Sequence, residues 1–344
     1  MRSRPFPGDS ISGSLQISEL GFGCAAVAGR VSRKDSLLAL HAAYDAGITF
    51  YDMARSYGYG QSERIVGEFL GGRRESVVLC TKFGIMPAAV SGWKQKLKPM
   101  AQLAIRAFPA LRAVAQKQVQ DQFVSNQFTP EILRMSLETS LRELKTDYVD
   151  ILLLHAAPAT VLQQHDLLHA MDQLVQSGKV RMAGISADAP VIGKYFAERP
   201  KPLTTAQFAL NLGNIGFAAE TRQNNDLLLV GNHVFGGPSG AAAGKATISE
   251  LHVSAGLPAE LREKLDPNDP QTLPEMVLNC VLRGTGLAAI VPAMMQVRHI
   301  QSNIRALEHC RFTDEEIVSL QNYLGFTGTS RQADQPAAAS APSS

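Results

Sequence analysis

Residues Ile48 to Glu63 read ITFYDMARSYGYGQSE, an apolar strand that ends at Asp52 and leads into a loop rich in Gly and Tyr. Two later runs have the same form, VVLCTK from Val77 to Lys82 and VDILLLH from Val149 to His155. Each is a short, largely apolar run that ends at a side chain able to move or stabilise a proton. In a barrel of parallel strands such ends meet at the C-terminal rim, where active sites lie. The pattern therefore predicts a (β/α)8 barrel together with the position of its site.

Eight strand-like runs alternate with helix-like segments along the chain. This alternation favours a parallel sheet, and eight units favour its closure into a barrel. Thr129-Pro130-Glu131 is typical of a helix start, because Thr caps the first turn and Pro fits its first position. The expected strands are Leu20–Cys24, Ile48–Asp52, Val77–Lys82, Val149–Leu154, Val180–Ile185, Thr205–Ala209, Leu227–Val230 and Ala288–Val291, and the expected helices include Asp35–Ala46, Ser62–Leu70, Pro130–Leu144, Val161–Ser177 and Leu273–Arg283.

The sequence predicts a single barrel domain over residues 1–326, with three segments that depart from the alternation. The stretch from Gly8 to Leu20 has the pattern of an N-terminal hairpin. A long insertion follows the third strand at about residues 86–127 and is read either as a lid or partner-protein surface, or as a short helical elaboration with a solvated basic face. Residues 327–344 are rich in Ala, Pro, Ser and Gln, and are expected to form a disordered tail.

Composition excludes several classes of protein. The chain of 344 residues is 45% hydrophobic and can bury one large core. A net charge of +2, from 33 basic and 31 acidic residues, gives no extended field for nucleic acid or an anionic membrane. The four cysteines lie far apart without Cys-x-x-Cys spacing, and no apolar run is long enough to span a bilayer. These features favour a cytoplasmic protein without a disulfide framework.

Several separated pieces of the sequence resemble the aldo-keto reductase superfamily, in the order that this family has them. Asp52 to Glu63 resembles its Asp-x-Ala-x-x-Tyr-Gly-x-Gly-x-Ser-Glu signature, Thr81-Lys82 resembles its lysine strand, and SLRELKTDYVDILLLH, from Ser140 to His155, resembles its long signature. The resemblance covers roughly Leu15 to Leu324. It implies an oxidoreductase that uses NADP(H) or NAD(H) to reduce a small aldehyde or ketone to an alcohol, or to catalyse the reverse reaction.

Four polar residues suit this chemistry. Hydride transfer to a carbonyl leaves negative charge on oxygen, so the site must supply a proton and stabilise that charge. The Tyr57 phenol is expected to be the acid/base, and the Lys82 ammonium to lower its pKa. Asp52 would hold Lys82 in place and keep it charged, while His155 would donate a hydrogen bond to the carbonyl oxygen. The resemblance implies the same tetrad.

The resemblance also implies contacts to the nicotinamide end of the cofactor. Ser186 and Gln207 match the residues that hold the carboxamide, but Ala187 stands where the family has Asn. Asn232 or His233 occupies the place of an aromatic side chain that stacks on the nicotinamide. The Gly-rich run over residues 231–244 is read either as a loop that wraps a pyrophosphate with its backbone amides or as a flexible loop.

At the adenosine end of the cofactor, Pro292 and Asn303 keep the spacing of the family. Between them, residues 293–296 carry no basic side chain that could pair with a 2′-phosphate, which leaves Arg298 as the nearby guanidinium. The preference between NADPH and NADH therefore stays open.

Alternative interpretations also stay open. A nucleotide-binding regulatory or interaction subunit of the same fold would have little turnover, and Schiff-base chemistry at Lys82 would use the same strand end. The Gly21-Phe22-Gly23-Cys24-Ala25-Ala26 run matches a dinucleotide motif, but lacks the helix that should follow at once. His165 and His169 share a helix face without the Glu of a metalloprotease, so no metal site is expected.

Overall fold

The computed structural model describes residues 1–8, 15–87, 123–237 and 240–326. Its main element is a sheet of eight parallel strands, and a parallel bridge between Leu20 and Ile290 joins the first strand to the last. The predicted (β/α)8 barrel is thereby confirmed. In chain order the strands are β1 (Ser3–Pro5), β2 (Gln16–Ser18), β3 (Phe22–Gly23), β4 (Phe50–Asp52), β5 (Val78–Phe83), β6 (Met86–Pro87), β7 (Phe123–Val124), β8 (Val149–His155), β9 (Val180–Ser186), β10 (Leu203–Ala209), β11 (Leu228–Asn232) and β12 (Ala289–Val291), of which β3–β5 and β8–β12 form the barrel.

Helices surround the barrel, and several begin at caps that the sequence supplies. The hydroxyl of Thr129 accepts a hydrogen bond from the backbone N–H of Ile132 at 3.3 Å, directly before Pro130. Thr313 and Glu316 form a capping box at the last helix. The α-helices are α1 (Arg33–Asp45), α2 (Ser62–Phe69), α3 (Pro130–Leu144), α4 (His165–Gln176), α5 (Ala189–Glu198), α6 (Ala218–Arg222), α7 (Gly240–Val253), α8 (Ala259–Lys264), α9 (Thr272–Leu282), α10 (Val297–Glu308) and α11 (Asp314–Tyr323).

An N-terminal hairpin covers the bottom of the barrel. Strands β1 and β2 pair antiparallel, and Phe6, Leu15 and Ile17 pack into the barrel interior. The predicted hairpin is therefore present, but its first strand lies at Ser3–Pro5, before the expected start at Gly8. All three residues of that strand are exposed, so it leaves no apolar pattern in the sequence. The turn, at residues 9–14, lies outside the described residues.

Alternation along the barrel strands determines what faces the interior. Phe50 precedes Asp52 on β4, Val78 and Cys80 precede Lys82 on β5, and Ile151 and Leu153 precede His155 on β8. The apolar residues of these series form one interior cluster with the hairpin. Because side chains at i and i+2 share a face, the three strand-end polar groups point inward above this apolar plug.

Two further segments differ from the sequence predictions. The Gly-rich run does not form one loop: residues up to Asn232 end β11, and α7 begins at Gly240. The expected helix Val161–Ser177 divides into a 3-10 turn at Ala159–Gln163 and α4.

Most of the insertion at 86–127, with its role as a lid or partner surface, and the whole tail at 327–344 lie outside the described residues. In the part of the chain that is described, no helix has the length and apolar character to cross a membrane.

Helix packing supplies a test of the fold. A Cβ added at Gly67 would lie 2.2 Å from the Glu143 carbonyl oxygen, where α2 crosses α3. We expect Gly67→Ala to push these helices apart and lower the free energy of unfolding by about 1–3 kcal/mol. Gly71→Ala is the matched control, because its nearest neighbour would be 3.9 Å away. Urea unfolding that shows equal stability for the two variants would contradict this packing.

Candidate active site

Three of the expected site residues lie side by side at the C-terminal rim. Asp52 ends β4, Lys82 lies one residue before the end of β5, and His155 ends β8. These strands are neighbours in the barrel, in the order β4, β5, β8. Tyr57 follows β4 by five residues and begins a 3-10 turn over Tyr57–Gly60. The sequence prediction that these four side chains share one place agrees with their positions.

The turn that carries Tyr57 depends on left-handed backbone. Gly58, Tyr59 and Gly60 have φ of 59°, 57° and 81°. A Cβ at Gly58 would lie 2.3 Å from the Val27 carbonyl oxygen, so only glycine fits against that neighbouring loop. The turn brings the ring of Tyr57 edge-on to His155, with 5.8 Å between ring centroids and an interplanar angle of 84°.

A buried ion pair that the sequence analysis did not identify supports the same turn. Arg55 and Glu63 are both buried, and the Arg55 guanidinium donates a hydrogen bond to the Glu63 carboxylate. The Thr81 hydroxyl donates to the other Glu63 oxygen at 2.6 Å. The loop is thus tied to β5 at the residue before Lys82. The opposite charges of Arg55 and Glu63 within the Asp52 to Glu63 stretch were a signal for this pair. Their contact depends on the shape of the turn between them, which the sequence pattern does not give.

Lys82 is the centre of the site. Its side chain is 1% exposed, and its ammonium donates to Asp52 Oδ1 at 2.7 Å, to the Met53 carbonyl oxygen at 2.8 Å and to Tyr57 Oη at 3.4 Å. Burial alone would lower the pKa of Lys82, but Asp52 and then Tyr57 raise it more strongly, so the net pKa lies above its usual range. Lys82 is therefore a charged group at neutral pH.

The pKa of Tyr57 reflects burial as well as the expected effect of Lys82. Lys82 does lower the pKa of the phenol, as expected, but burial raises that pKa by more and Asp52 adds to the rise. The net pKa lies above the usual value of about 10. Tyr57 in this state is a neutral phenol, suited to donate a proton.

His155 is also neutral. Burial, and then the nearby Lys82 charge, lower the pKa of its imidazole to about 3. Its Nδ1 is buried and has no hydrogen-bond partner in the part of the chain that the structure describes. Because no acceptor of the described residues faces Nδ1, a ring proton gains no hydrogen bond there, which favours the tautomer with its proton on Nε2. The ring can then donate one hydrogen bond without carrying charge.

The cofactor residues expected at the nicotinamide end surround the same place. A cavity of about 390 Å³ opens over the rim. Gln207 is fully buried beside this cavity and bonds to Asp52 and Ser186. The Oδ1 of Asn232 is buried and has no hydrogen-bond partner among the described residues. The cavity is lined by Tyr57, His155, Ala156, Ala157, Pro158, Ser186, Ala187, Asp188, Val191, Ala209, Asn232 and His233.

The residues expected at the adenosine end are elsewhere. Pro292 follows β12, Arg298 is exposed on α10, and the buried Asn303 directs its amide to Met294 Sδ at 3.5 Å. None of the three is among the described residues that line the rim cavity. The structure therefore brings together the tetrad with Ser186, Gln207 and Asn232, whereas the second group lies directly after β12 and on α10.

Comparison with known proteins agrees with the fold. A family model described as the aldo/keto reductase family matches residues 19–324. The chain belongs to the aldo/keto reductase family. Members of this family are NAD(P)H-dependent oxidoreductases, and the chain is an oxidoreductase of that class. The expected family and enzyme class are confirmed.

Two related sequences align with most of this chain and with half of it, respectively. An uncharacterized oxidoreductase of Bacillus subtilis, YqkF, is 24% identical over 90% of this chain and 93% of its own length. The aldo-keto reductase YhdN of the same organism is 31% identical over 50% of this chain and 44% of its own length.

Solved structures share the fold. The holo form of an aldo-keto reductase from Bacillus halodurans matches with a TM-score of 0.67 and 22% identity over 94% of this chain and 96% of that one. An aldo-keto reductase from Klebsiella pneumoniae in complex with NADPH matches with a TM-score of 0.60 and 22% identity, over 90% of this chain and 92% of that one.

The neutral state of His155 can be tested by titration. Because its pKa is about 3, we expect its imidazole NMR signals to stay unchanged between about pH 5 and 8, where an unperturbed histidine titrates. His155→Gln would identify the signals. Lys82→Met should raise this pKa, because it deletes the positive charge that opposes protonation. A His155 titration near the ordinary value of about 6.5 would contradict the burial described for the site.

Proposed function

We propose that this chain reduces an aldehyde or ketone to an alcohol, or catalyses the reverse, with Tyr57 as acid/base and NADPH or NADH as cofactor. The observation that carries the proposal is the placement of the Tyr57 phenol at the rim cavity, against the buried Lys82–Asp52 pair and facing the neutral His155. Bound in this cavity, the nicotinamide would supply the hydride.

Each side chain of the tetrad has a distinct task in the proposed reaction. The Nε2–H of His155 holds the carbonyl oxygen, and a neutral ring does so without placing a competing acid at the site. Tyr57 gives its proton to that oxygen as negative charge develops there. The Lys82 ammonium stabilises the phenolate that remains, and Asp52 keeps the ammonium charged and in position. The reverse reaction uses the same groups in the opposite order.

The rim fits the carboxamide of a nicotinamide. The Oδ1 of Asn232 is a buried acceptor that no described residue hydrogen-bonds. The Ser186 hydroxyl donates its proton to Gln207, which leaves the lone pairs of the Ser186 oxygen as acceptors. Acceptors on two parts of the cavity wall suit the N–H groups of an amide. Ala187 takes no part in such bonding, so we infer that Asn232 replaces the Asn that the family has at that position.

Removing the proton donor is the direct test. Tyr57→Phe deletes the hydroxyl with little change of shape, so aldehyde reduction should fall by roughly 10² to 10⁴ or more, while cofactor affinity stays nearly unchanged. Tyr44→Phe is the matched control, because its hydroxyl bonds to Ser76 on the helical surface.

The outcomes separate two functions. Near-normal turnover by Tyr57→Phe would remove Tyr57 from its assigned role. Cofactor binding by the wild-type protein without turnover of any member of an aldehyde panel would instead favour the nucleotide-binding regulatory subunit.

Cofactor preference has its own test. A charge-assisted contact to a 2′-phosphate contributes about 1.5–3 kcal/mol, and residues 293–296 offer no basic group for one. We expect a modest ratio of NADPH to NADH affinity, and a selective loss of NADPH affinity in Arg298→Ala. Arg305→Ala, also exposed on α10, is the control. Strong NADPH selectivity that survives Arg298→Ala in fluorescence titrations would place the phosphate contact on another residue.

A further inference from the structure

A groove larger than the rim cavity lies at the opposite end of the barrel. Its volume is about 1010 Å³, and it is bounded by β1 of the N-terminal hairpin, by α6, by the end of α9 and by α11. The chain runs from α6 into β11 and from α9 into β12, which places the groove at the N-terminal face of the barrel. The groove is therefore separate from the rim that carries Tyr57.

Arginine side chains determine the charge of this groove. Among the described residues that line it, four are arginines and two are acidic, so the lining carries two excess positive charges. The net charge of the whole chain is also +2, which means that the charged residues outside the groove balance one another. The charged residues of the lining are Arg2, Arg4, Glu19, Arg222, Arg283 and Asp314.

Two of these guanidiniums share one carboxylate. Arg2 and Arg4 lie two residues apart on β1, so their side chains extend from the same face of that strand. Arg4 donates to Glu19 Oε1 at 3.3 Å, and the Nε of Arg2 lies 3.8 Å from Glu19 Oε2. Long, exposed ion pairs of this kind contribute little, and a guanidinium has more donors than these contacts use. Both side chains can therefore bind a further anion.

Arg222, at the end of α6, has no carboxylate partner within the part of the chain that the structure describes. It is exposed, and its guanidinium lies 5.6 Å from the centroid of the Phe326 ring. This contact is with an aromatic ring and not with an acceptor, so the N–H donors of Arg222 remain available. Arg222 is the guanidinium of the groove that is best placed to receive a carboxylate.

Apolar side chains lie beside these guanidiniums. Leu282, Ile317 and Phe326 line the groove and are buried, whereas Val318 on α11 is 51% exposed. A small inorganic anion cannot cover Val318, because it has no apolar surface to remove from water. A peptide that carries both acidic and apolar side chains can pair with the guanidiniums and cover the valine.

We propose that this groove binds an acidic peptide segment of a partner protein, with carboxylates at Arg4 and Arg222 and an apolar side chain against Val318. The planar fork of a guanidinium donates two parallel hydrogen bonds to a carboxylate, which suits this occupant. The chain's own residues 327–344 follow the groove directly but carry one basic and one acidic side chain, so their charge does not complement it.

The test measures the binding of synthetic peptides to the full-length protein by fluorescence anisotropy. The probe is a fluorescein-labelled peptide that alternates Glu and Leu. A labelled peptide that alternates Gln and Leu is its control, because it keeps the apolar side chains without their charge. We expect a micromolar dissociation constant for the acidic peptide, roughly tenfold or more below that of the neutral one. The affinity should fall steeply between about 0.05 and 0.5 M NaCl, because salt screens exposed charges.

Two surface variants locate the binding site. Arg222→Gln should weaken the acidic peptide by roughly 3- to 10-fold, and Val318→Glu should weaken it further by placing a negative charge on the apolar strip. Arg134→Gln and Val253→Glu are the matched controls, since Arg134 is exposed on α3, Val253 is 72% exposed on α7, and neither lines the groove. Both controls should bind the peptide as the wild-type protein does.

Several outcomes would overturn the proposal. These are equal affinity for the acidic and neutral peptides, and peptide binding that neither Arg222→Gln nor Val318→Glu weakens. Inorganic triphosphate that displaces the peptide at equal concentration would show a site for anions in general. A chain shortened to end at Phe326 tests the chain's own tail, because peptide binding that becomes roughly tenfold tighter would make residues 327–344 the occupant.

The peptide assay does not depend on the proposed reaction. It needs neither cofactor nor turnover, and Tyr57→Phe should bind the acidic peptide as the wild-type protein does. A protein that reduces no aldehyde but binds the peptide would contradict the proposed function alone. A protein that reduces aldehydes but does not distinguish the two peptides would contradict the docking groove alone.

Discussion

The ammonium of Lys82 is the group on which the rest of the rim depends. Transfer of a charge into a protein interior costs several kcal/mol unless the charge is paired and hydrogen-bonded. Here three acceptors surround the ammonium: the Asp52 carboxylate, the Met53 carbonyl oxygen and the Tyr57 hydroxyl. Two of them come from β4 and the residue after it, and the third from the loop that follows. Placing Lys82 therefore also places the loop that carries the phenol.

The apolar plug beneath the rim influences the pKa values of the site residues. Inward-facing residues such as Val78 and Ile151 exclude water below Lys82 and His155. Burial penalises whichever form of a group is charged, so it raises the pKa of Tyr57 and lowers the pKa of His155. Burial thus shifts the two pKa values in opposite directions, and both groups are neutral beside a charged Lys82. This combination suits donation of a proton and of a hydrogen bond to the same oxygen.

Sequence and structure agree where short-range pattern controls position. Strand-end polar residues could be predicted because side chains alternate between the two faces of a strand, which places these residues inward. The C-terminal ends of the barrel strands then meet at one rim. The bond between Gln207 and Asp52 joins residues 155 positions apart, and no local pattern encodes it. Helix α7 was missed because its first residues, Gly and Ala, lack apolar periodicity. The lowering of the Tyr57 pKa by Lys82 could be predicted, but the larger rise caused by burial could not, because the depth of burial cannot be read from a sequence.

The distance between Lys82 and Tyr57 bears on how the pair would act in catalysis. At 3.4 Å the contact is longer than the bonds of Lys82 to Asp52 and Met53, so the ammonium is anchored mainly by those two acceptors. With a neutral phenol the contact is weak. In the proposed reaction Tyr57 would lose its proton, its oxygen would gain negative charge, and the attraction would strengthen without any need to move the lysine. An interaction that grows only as the reaction proceeds stabilises the transition state more than the ground state, which is the condition for a rate enhancement.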